Sequence, residues 1–436
     1  MKAGPLLGNC RVPGDKSISH RALMFGAIAT GRTRVSGLLE AEDVMNTARA
    51  VTALGAPARK SGCVWEVLGR GVGGLTEPAS LLDFGNSGTG TRLMMGLVAG
   101  HDMTVGMTGD ASLRRRPMGR VLRPLRQMGL EVLEKDRETL PLTLHGTSDL
   151  TPIEYVLPVP SAQVKSAILI AGLHAAGETT VIEPEPTRDH TERMLRHFGA
   201  DIAVAAHPRG RAITVKGDAE LEGRNVLVPG DPSSAAFIAA AAVLVPGSEV
   251  TIEGVLVNPT RTGFYLTVQE MGGDVVFMNE REEGGEPVAD VRVRSSRLKG
   301  VRVPPERAPS MIDEYPVLAV VAAFAEGETH MEGLAELKAK ESDRLATTAA
   351  ALAVNGAQFR IDGDRLTVAR GGTVRGGGRV ATHMDHRIAM AALTLGLAAD
   401  APVTIDDATF IATSFPDYLG LMEGLGARFA PGEEAL

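Results

Sequence analysis

Apolar positions along the chain build two kinds of helical segment. In the first kind almost every position is apolar or small, as in Ile168 to Leu173, Phe237 to Val245, Val317 to Phe324 and Ile388 to Leu397. A helix without a polar face belongs inside a core. In the second kind apolar and charged residues alternate at helical spacing, as in Thr191-Glu192-Arg193-Met194-Leu195-Arg196-His197-Phe198. That pattern covers a core from outside. Segments of the second kind run into a glycine, in Leu54-Gly55-Ala56, Met128-Gly129, Phe198-Gly199-Ala200, Met271-Gly272-Gly273, Asn355-Gly356-Ala357 and Leu425-Gly426-Ala427. Such a glycine is a helix stop. Between the two kinds lie β-branched stretches, Thr33-Arg34-Val35 and Val250-Thr251-Ile252 among them, which predict strands.

The pattern is periodic. Val228-Pro229-Gly230-Asp231-Pro232-Ser233-Ser234-Ala235 echoes the stretch from Val12 to Ser19, and the same succession restarts near Asn86, Ser161, Asp313 and Asp385. Six units follow, each reading strand, helix, strand, helix, strand, three before Gly230 and three from it onward. The fold class is therefore α/β (α+β), with two similar domains built around buried helices. A chain of 436 residues exceeds what one core usually holds. The expected domains are 12–229 and 230–436, with residues 1–11 joining the second, so that the chain crosses between domains twice. The glycine-rich runs Gly69 to Gly74, Gly284-Gly285 and Gly371 to Gly378 read as surface turns. The tail from Pro431 to Leu436 reads as frayed.

Composition narrows the partners. A formal net charge of −8 gives no global basic field for nucleic acid, and 4% aromatic residues argue against base-stacking platforms. No apolar run reaches the roughly 18 residues that a membrane span requires. The opening Met1-Lys2-Ala3-Gly4-Pro5 lacks the apolar core of a signal peptide. Two cysteines suggest a reduced compartment, so the expected location is cytoplasmic. There is no G-x-x-x-x-G-K-[ST], no dinucleotide fingerprint and no H-E-x-x-H; no metal and no organic cofactor is expected.

Against this acidic background the local cation clusters carry the chemistry. Asp15-Lys16-Ser17-Ile18-Ser19-His20-Arg21 places hydroxyls, an imidazole and two cations at a predicted helix start, where Asp15 or Ser17 serves as cap. The free N–H groups and the dipole of that turn favour an anion, and Lys16 and Arg21 add a point charge and a planar fork. Asn86-Ser87-Gly88-Thr89-Gly90-Thr91-Arg92 and Ser161-Ala162-Gln163-Val164-Lys165 open two more buried helices. Asp313-Glu314-Tyr315-Pro316 and Asp385-His386-Arg387 open another two, where Asp313 fits an N-cap and His386 a core histidine equally well. Arg114-Arg115-Arg116 precedes Pro117, which is suited to opening a helix; alone it is a solvated basic turn. Lys340-Glu341-Ser342-Asp343-Arg344, if helical, puts Lys340 and Arg344 on one face, an ordinary surface ladder when taken by itself. Jointly, polar residues recur at the same point of several units. If those helix ends pack together, Lys16, Arg21, Arg92, Gln163, Asp313 and Arg387 meet in one cleft, the common place for a ligand between domains.

With these motifs assembled, the chain resembles the EPSP synthase (3-phosphoshikimate 1-carboxyvinyltransferase) family over essentially its whole length. The specific runs are Pro13 to Arg21, Arg116-Pro117-Met118, Lys340 to Arg344 and Asp385-His386-Arg387. Arg116 to Arg120, Ser161 to Lys165, Arg188-Asp189-His190-Thr191-Glu192 and Asn258-Pro259-Thr260-Arg261 resemble its class II bacterial branch. The resemblance implies two domains of three βαβαββ units each, which close over the substrates. It implies a monomer whose partners are small molecules, shikimate 3-phosphate and phosphoenolpyruvate. The implied reaction moves the enolpyruvyl group to the 5-hydroxyl of shikimate 3-phosphate by addition and elimination, on the route to chorismate and aromatic amino acids.

The same resemblance implies the site. Lys16 touches both substrates. Ser17, Arg21, Ser161, Ala162 and Gln163 bind shikimate 3-phosphate, aided by Arg188 and Lys340. Arg116, Arg344 and Arg387 grip phosphoenolpyruvate beside Gly88, with Gln163 reaching both ligands. Asp313 is the base at the 5-hydroxyl, and Glu341 passes a proton to and from the methylene carbon. Asn86 and His386 are secondary candidates. Two positions depart from the pattern: Thr413 stands where many relatives have a Lys, and Ala162 where a second Ser is usual. In this family glyphosate competes with phosphoenolpyruvate, and Gly88 leaves it the room that an alanine would take. A UDP-N-acetylglucosamine enolpyruvyl transferase is the nearest alternative, but the loop from Gly109 to Arg116 lacks that family's reactive Cys. A non-catalytic repeat protein is the alternative of another class, and it would not need Asp313 and Glu341 set among cations.

Overall fold

The computed structural model describes residues 4–218, 220–369 and 374–431. Residues 371–373 of the last glycine-rich run and 432–436 of the tail lie outside them. Contacts divide the chain into two compact units. The first comprises 14–228 with 283–286, and the second comprises the segment up to Pro13 together with 229–282 and the chain from Pro287 onward.

The first unit holds three four-stranded sheets of one topology: an edge strand parallel to its neighbour, then two antiparallel strands. Glu154–Val156 runs parallel to Glu178–Glu183, which pairs antiparallel with Gly210–Lys216 and that with Ile202–His207. Leu82–Asp83 opens the second such sheet and Asn225–Leu227 the third. That third edge strand joins Arg32–Ser36 from almost two hundred residues away. In the second unit the corresponding edge is Leu7–Cys10, parallel to Glu249–Leu256 with Leu7 opposite Glu249. The two crossing segments thus supply each unit with a strand from a distant part of the chain. A sheet opened by Arg302–Val303 repeats the topology. Among the described residues the last repeat keeps only its parallel pair, Arg379–Val380 with Thr404–Ile405.

Each unit buries three helices. They are Lys16–Ile28, Gly88–Ala99 and Ala162–Gly172 in the first, and Pro232–Leu244, Tyr315–Phe324 and His386–Ala398 in the second. Their apolar composition on every side leaves no face for water, which is why they are wrapped by sheets and outer helices. Five are capped by the side chain that precedes them: Asp15, Ser87, Ser161, Asp231 and Asp385 each accept from a backbone N–H of the first turn. Asp15, not Ser17, is therefore the cap of the first. The Tyr315 helix has Glu314 at its cap position without a side-chain cap bond. Asp313 is thus not an N-cap, and its carboxylate serves elsewhere. The six glycines ending the outer helices all lie at positive φ, from 80° at Gly356 to 120° at Gly129, where a side chain would be strained.

Two local expectations are corrected. Lys340 and Arg344 do not share a helix: Asp343 accepts from Ala346 N and starts a helix at Arg344, which leaves Lys340 in extended backbone. Pro117 does not open a helix either. Leu113–Arg115 is a short 3-10 turn, and the next helix begins at Gly119.

Candidate functional site

In the first unit the N-terminal turns of the three buried helices lie side by side, held by polar contacts. Lys16 is mostly buried and its Nζ sits 2.9 Å from Asp43 Oδ2. Arg21 is buried, donating from Nε to Thr191 Oγ1 and from Nη2 to Ser166 Oγ, both at 2.8 Å, and from Nη1 to the Ser17 carbonyl at 3.0 Å. Burial lowers its pKa to about 10, opposed by Glu192, Asp15 and Glu286 and reinforced by the neighbouring Arg188. His20 bonds Thr47 at 2.8 Å. Burial, with Lys16 and Arg21 alongside, pushes it down to about 3 against the pull of Asp15, so it is neutral. Lys165 is fully enclosed, 3.0 Å from Glu183 and 2.7 Å from Glu192.

The remaining residues of this half form two linked pairs. Arg92 Nη1 donates to Gln163 Oε1 at 2.9 Å, and Gln163 Nε2 donates to Thr89 at the same distance. Arg116 Nη2 donates to Asn86 Oδ1 at 2.6 Å, while Asn86 Nδ2 donates to Asp110 at 2.8 Å. Gly88 lies against both arginines: a Cβ there would stand 2.9 Å from Arg92 Nη1 and 3.1 Å from Arg116 Nη1. Ser161 accepts from Val164 N at 3.4 Å as a cap; Ala162, next to it in sequence, and Arg188, whose charge acts on Arg21, are half-buried.

In the second unit one guanidinium gathers three carboxylates. Arg344, only 1% exposed, donates from Nε to Asp385 at 2.8 Å, from Nη1 to Asp313 at 3.1 Å and from Nη2 to Glu341 at 2.5 Å. Burial alone would lower its pKa; Asp385, Glu341 and Asp313 more than reverse that and hold it well above the ordinary value. Lys340 Nζ stands 3.8 Å from Asp313. Arg387 is nearly buried, with Nη1 3.4 Å from the Asp313 carbonyl and 3.7 Å from Glu314 Oε1. His386 is buried in the first turn of the same helix. Thr413 ends a 3-10 turn and donates to the Phe410 carbonyl at 2.7 Å, so its hydroxyl is committed to the backbone.

The comparisons decide the family. The family model for EPSP synthase (3-phosphoshikimate 1-carboxyvinyltransferase) matches residues 1–422. A curated 3-phosphoshikimate 1-carboxyvinyltransferase of Parvibaculum lavamentivorans is 61% identical over 98% of this chain and 95% of its own. This chain belongs to the EPSP synthase family. The enzyme of that name from Brucella abortus is 59% identical over the same shares. The solved EPSP synthase of Acinetobacter baumannii superposes with a TM-score of 0.87 at 43% identity, covering 98% of both chains. The enolpyruvyl transferase NikO of Streptomyces tendae shares the fold, with a TM-score of 0.76 at 19% identity over 98% of this chain and 97% of its own. The chain is accordingly an enzyme of mixed α and β structure that transfers an enolpyruvyl group from phosphoenolpyruvate to shikimate 3-phosphate. Among the described residues no helix is long and apolar enough to cross a membrane.

Several residues that hold the site carried little signal in the sequence. Thr191 lay in the Arg188 to Glu192 motif without a role, and Ser166 and Asp43 lay in helices whose pattern spoke only of packing. Glu314 was visible only as the neighbour of Asp313.

Proposed function

We propose a division of labour for the transfer. The first unit supplies anion recognition, with Lys16, Ser17, Arg21, Ser161, Ala162, Gln163 and Arg188 on shikimate 3-phosphate and Lys16, Gly88, Arg116 and Gln163 at phosphoenolpyruvate. The second unit supplies the acid–base groups, Asp313 and Glu341, with Lys340 beside shikimate 3-phosphate and Arg344 and Arg387 for phosphoenolpyruvate. Glu341 gives a proton to the methylene carbon, Asp313 takes the proton of the 5-hydroxyl as its oxygen attacks the adjoining carbon, and the tetrahedral adduct expels phosphate as Glu341 recovers a proton from the new methyl.

The observation that supports this most is the sharing of Arg344 by Asp313 and Glu341 at 3.1 and 2.5 Å. One cation holds both carboxylates, so an anionic ligand at that guanidinium competes with both of them. Asn86 and His386 act as supports, Asn86 by holding Arg116. The enzyme works as a cytoplasmic monomer in this reading. The test is phosphate release by the purified protein, which should require both substrates together. Glu341→Ala should lose at least about a hundredfold in kcat while both ligands still bind by calorimetry; retained turnover would remove Glu341 from its role.

A further inference from the structure

Glu314, a polar group of the second unit that the reaction leaves unused, is joined through one carboxylate oxygen both to Arg387 and to a buried cluster. It is 2% exposed and follows Asp313 directly. A carboxylate is rarely enclosed this far without partners that fix it. Its Oε1 accepts a short hydrogen bond from Ser233 Oγ. Ser233 Oγ in turn accepts from Arg261 Nη2 at 3.1 Å, and Arg261 also faces Asp231 at 3.4 Å. The charges of Glu314 and Asp231, with burial the larger cause, hold the Tyr265 hydroxyl protonated far above its ordinary range. That hydroxyl donates to the Pro232 carbonyl at 2.7 Å and closes the cluster.

The same oxygen of Glu314 also faces Arg387, whose Nη1 lies 3.7 Å from Oε1 and 3.4 Å from the Asp313 carbonyl. The backbone of Arg387 is fixed separately, its N–H donating to Asp385 Oδ1 at 3.0 Å. One nitrogen of the fork is thus held by residues 313 and 314, and its other edge is left to meet a carboxylate or phosphate. We propose that Glu314 is a positioning residue that aims Arg387 at phosphoenolpyruvate, itself held in place by Ser233 and Arg261. The inference rests on the role given to Arg387 above.

The fork geometry makes the aim matter, because a guanidinium recognises an oxyanion pair edge-on and a swung one does not. Glu314→Gln keeps the shape and the hydrogen bond to Ser233 while removing the charge that faces Arg387. It should raise KM for phosphoenolpyruvate about tenfold, with KM for shikimate 3-phosphate within about twofold and kcat little changed. Ser233→Ala leaves both charges in place and should move the same constant in the same direction by a smaller factor; it carries the test if the Gln variant is recovered unfolded. Glu314→Asp should restore part of the loss. Arg387→Gln is measured alone and with Glu314→Gln, and the pair should be far less than additive. If Arg387→Gln leaves KM for phosphoenolpyruvate unchanged, the role of Arg387 is wrong. If Arg387→Gln raises it but neither Glu314→Gln nor Ser233→Ala does, or if the two effects simply add, Glu314 has no part in aiming it.

Discussion

At the scale of single residues, the candidate site is built from charged and polar groups that bond one another. Arg344 is saturated by Asp385, Glu341 and Asp313, while Lys16 pairs with Asp43 and Arg116 bonds Asn86. Gly88 is the exception, since its value is the space it leaves beside the arginines. Alanine there would press on Arg92 Nη1 and Arg116 Nη1, both far ends of long side chains that are able to move. The fold should therefore tolerate Gly88→Ala, with the melting temperature unchanged within about 2 °C. Recognition should not: inhibition by glyphosate, the longer ligand, should weaken more than KM for phosphoenolpyruvate rises. Steady-state inhibition at several substrate concentrations checks this, and equal factors would show that the methyl group excludes nothing selectively. The residue types at this scale were readable because rare runs such as Lys340 to Arg344 carry their chemistry in their identity. Their partners were not readable, because Asp43 and Ser166 look like any polar residue of a helix until the fold brings them to Lys16 and Arg21.

At the scale of elements, a buried helix needs its first-turn N–H groups satisfied, since water does not reach them. Asp15 is fully buried and accepts from Ile18 N at 2.8 Å, so it does this work for the Lys16 helix while its charge acts on Arg21. Asp15→Ala should lower stability by about 1–2 kcal/mol, read as a shift in the urea midpoint. Asp15→Asn, which keeps an acceptor, should recover most of it. If the two variants are equally unstable, the charge of Asp15 rather than its cap bond stabilises the turn. Helices and their glycine stops were legible because composition alone sets them: an all-apolar segment is buried, and a glycine at positive φ ends the outer helix. The strand exchange was only partly legible. That residues near Leu6 belong with the later half follows from the repeat restarting, but the pairing of Leu7 with Glu249 and of Asn225 with Arg34 is a long-range fact with no local pattern. The helical reading of Lys340 to Arg344 failed for a local reason, because a cap residue at 343 competes with helix propensity and wins.

At the scale of the whole molecule, stability is expected to fall with acid earlier than carboxylate protonation would explain. Three histidines of the first unit, His20 and His101 buried and His174 half-buried with its Nε2 enclosed, are held neutral. Burial and the His101 charge push His174 down to about 3, burial lowers His101 against its bond to the Leu97 carbonyl, and His20 also lies at about 3. The His101 and His174 rings pack edge to face with centroids 4.7 Å apart, and the Nε2 atom of each is buried without a hydrogen-bond partner. In the unfolded chain these groups titrate near 6.5. The unfolded state therefore binds more protons below that value, and stability is full above it and declines as pH falls from about 6.5 toward about 3. Carboxylates held below their ordinary value, Glu134, Glu270, Asp290 and Asp406 among them, add their loss only below about 4.5. The window between about 6.5 and 4.5 thus isolates the histidines, with a slope approaching about 1.4 kcal/mol per pH unit for each of His20 and His174 at its lower end. Urea unfolding at half-unit steps across that window should show the decline, and His174→Phe should flatten it. The ring packs edge to face on His101 and its Nε2 makes no hydrogen bond, so the variant should be no less stable at pH 5 than the parent chain. An unchanged slope would mean that His174 titrates alike folded and unfolded, and would leave His20 and His101 to account for any decline in that window.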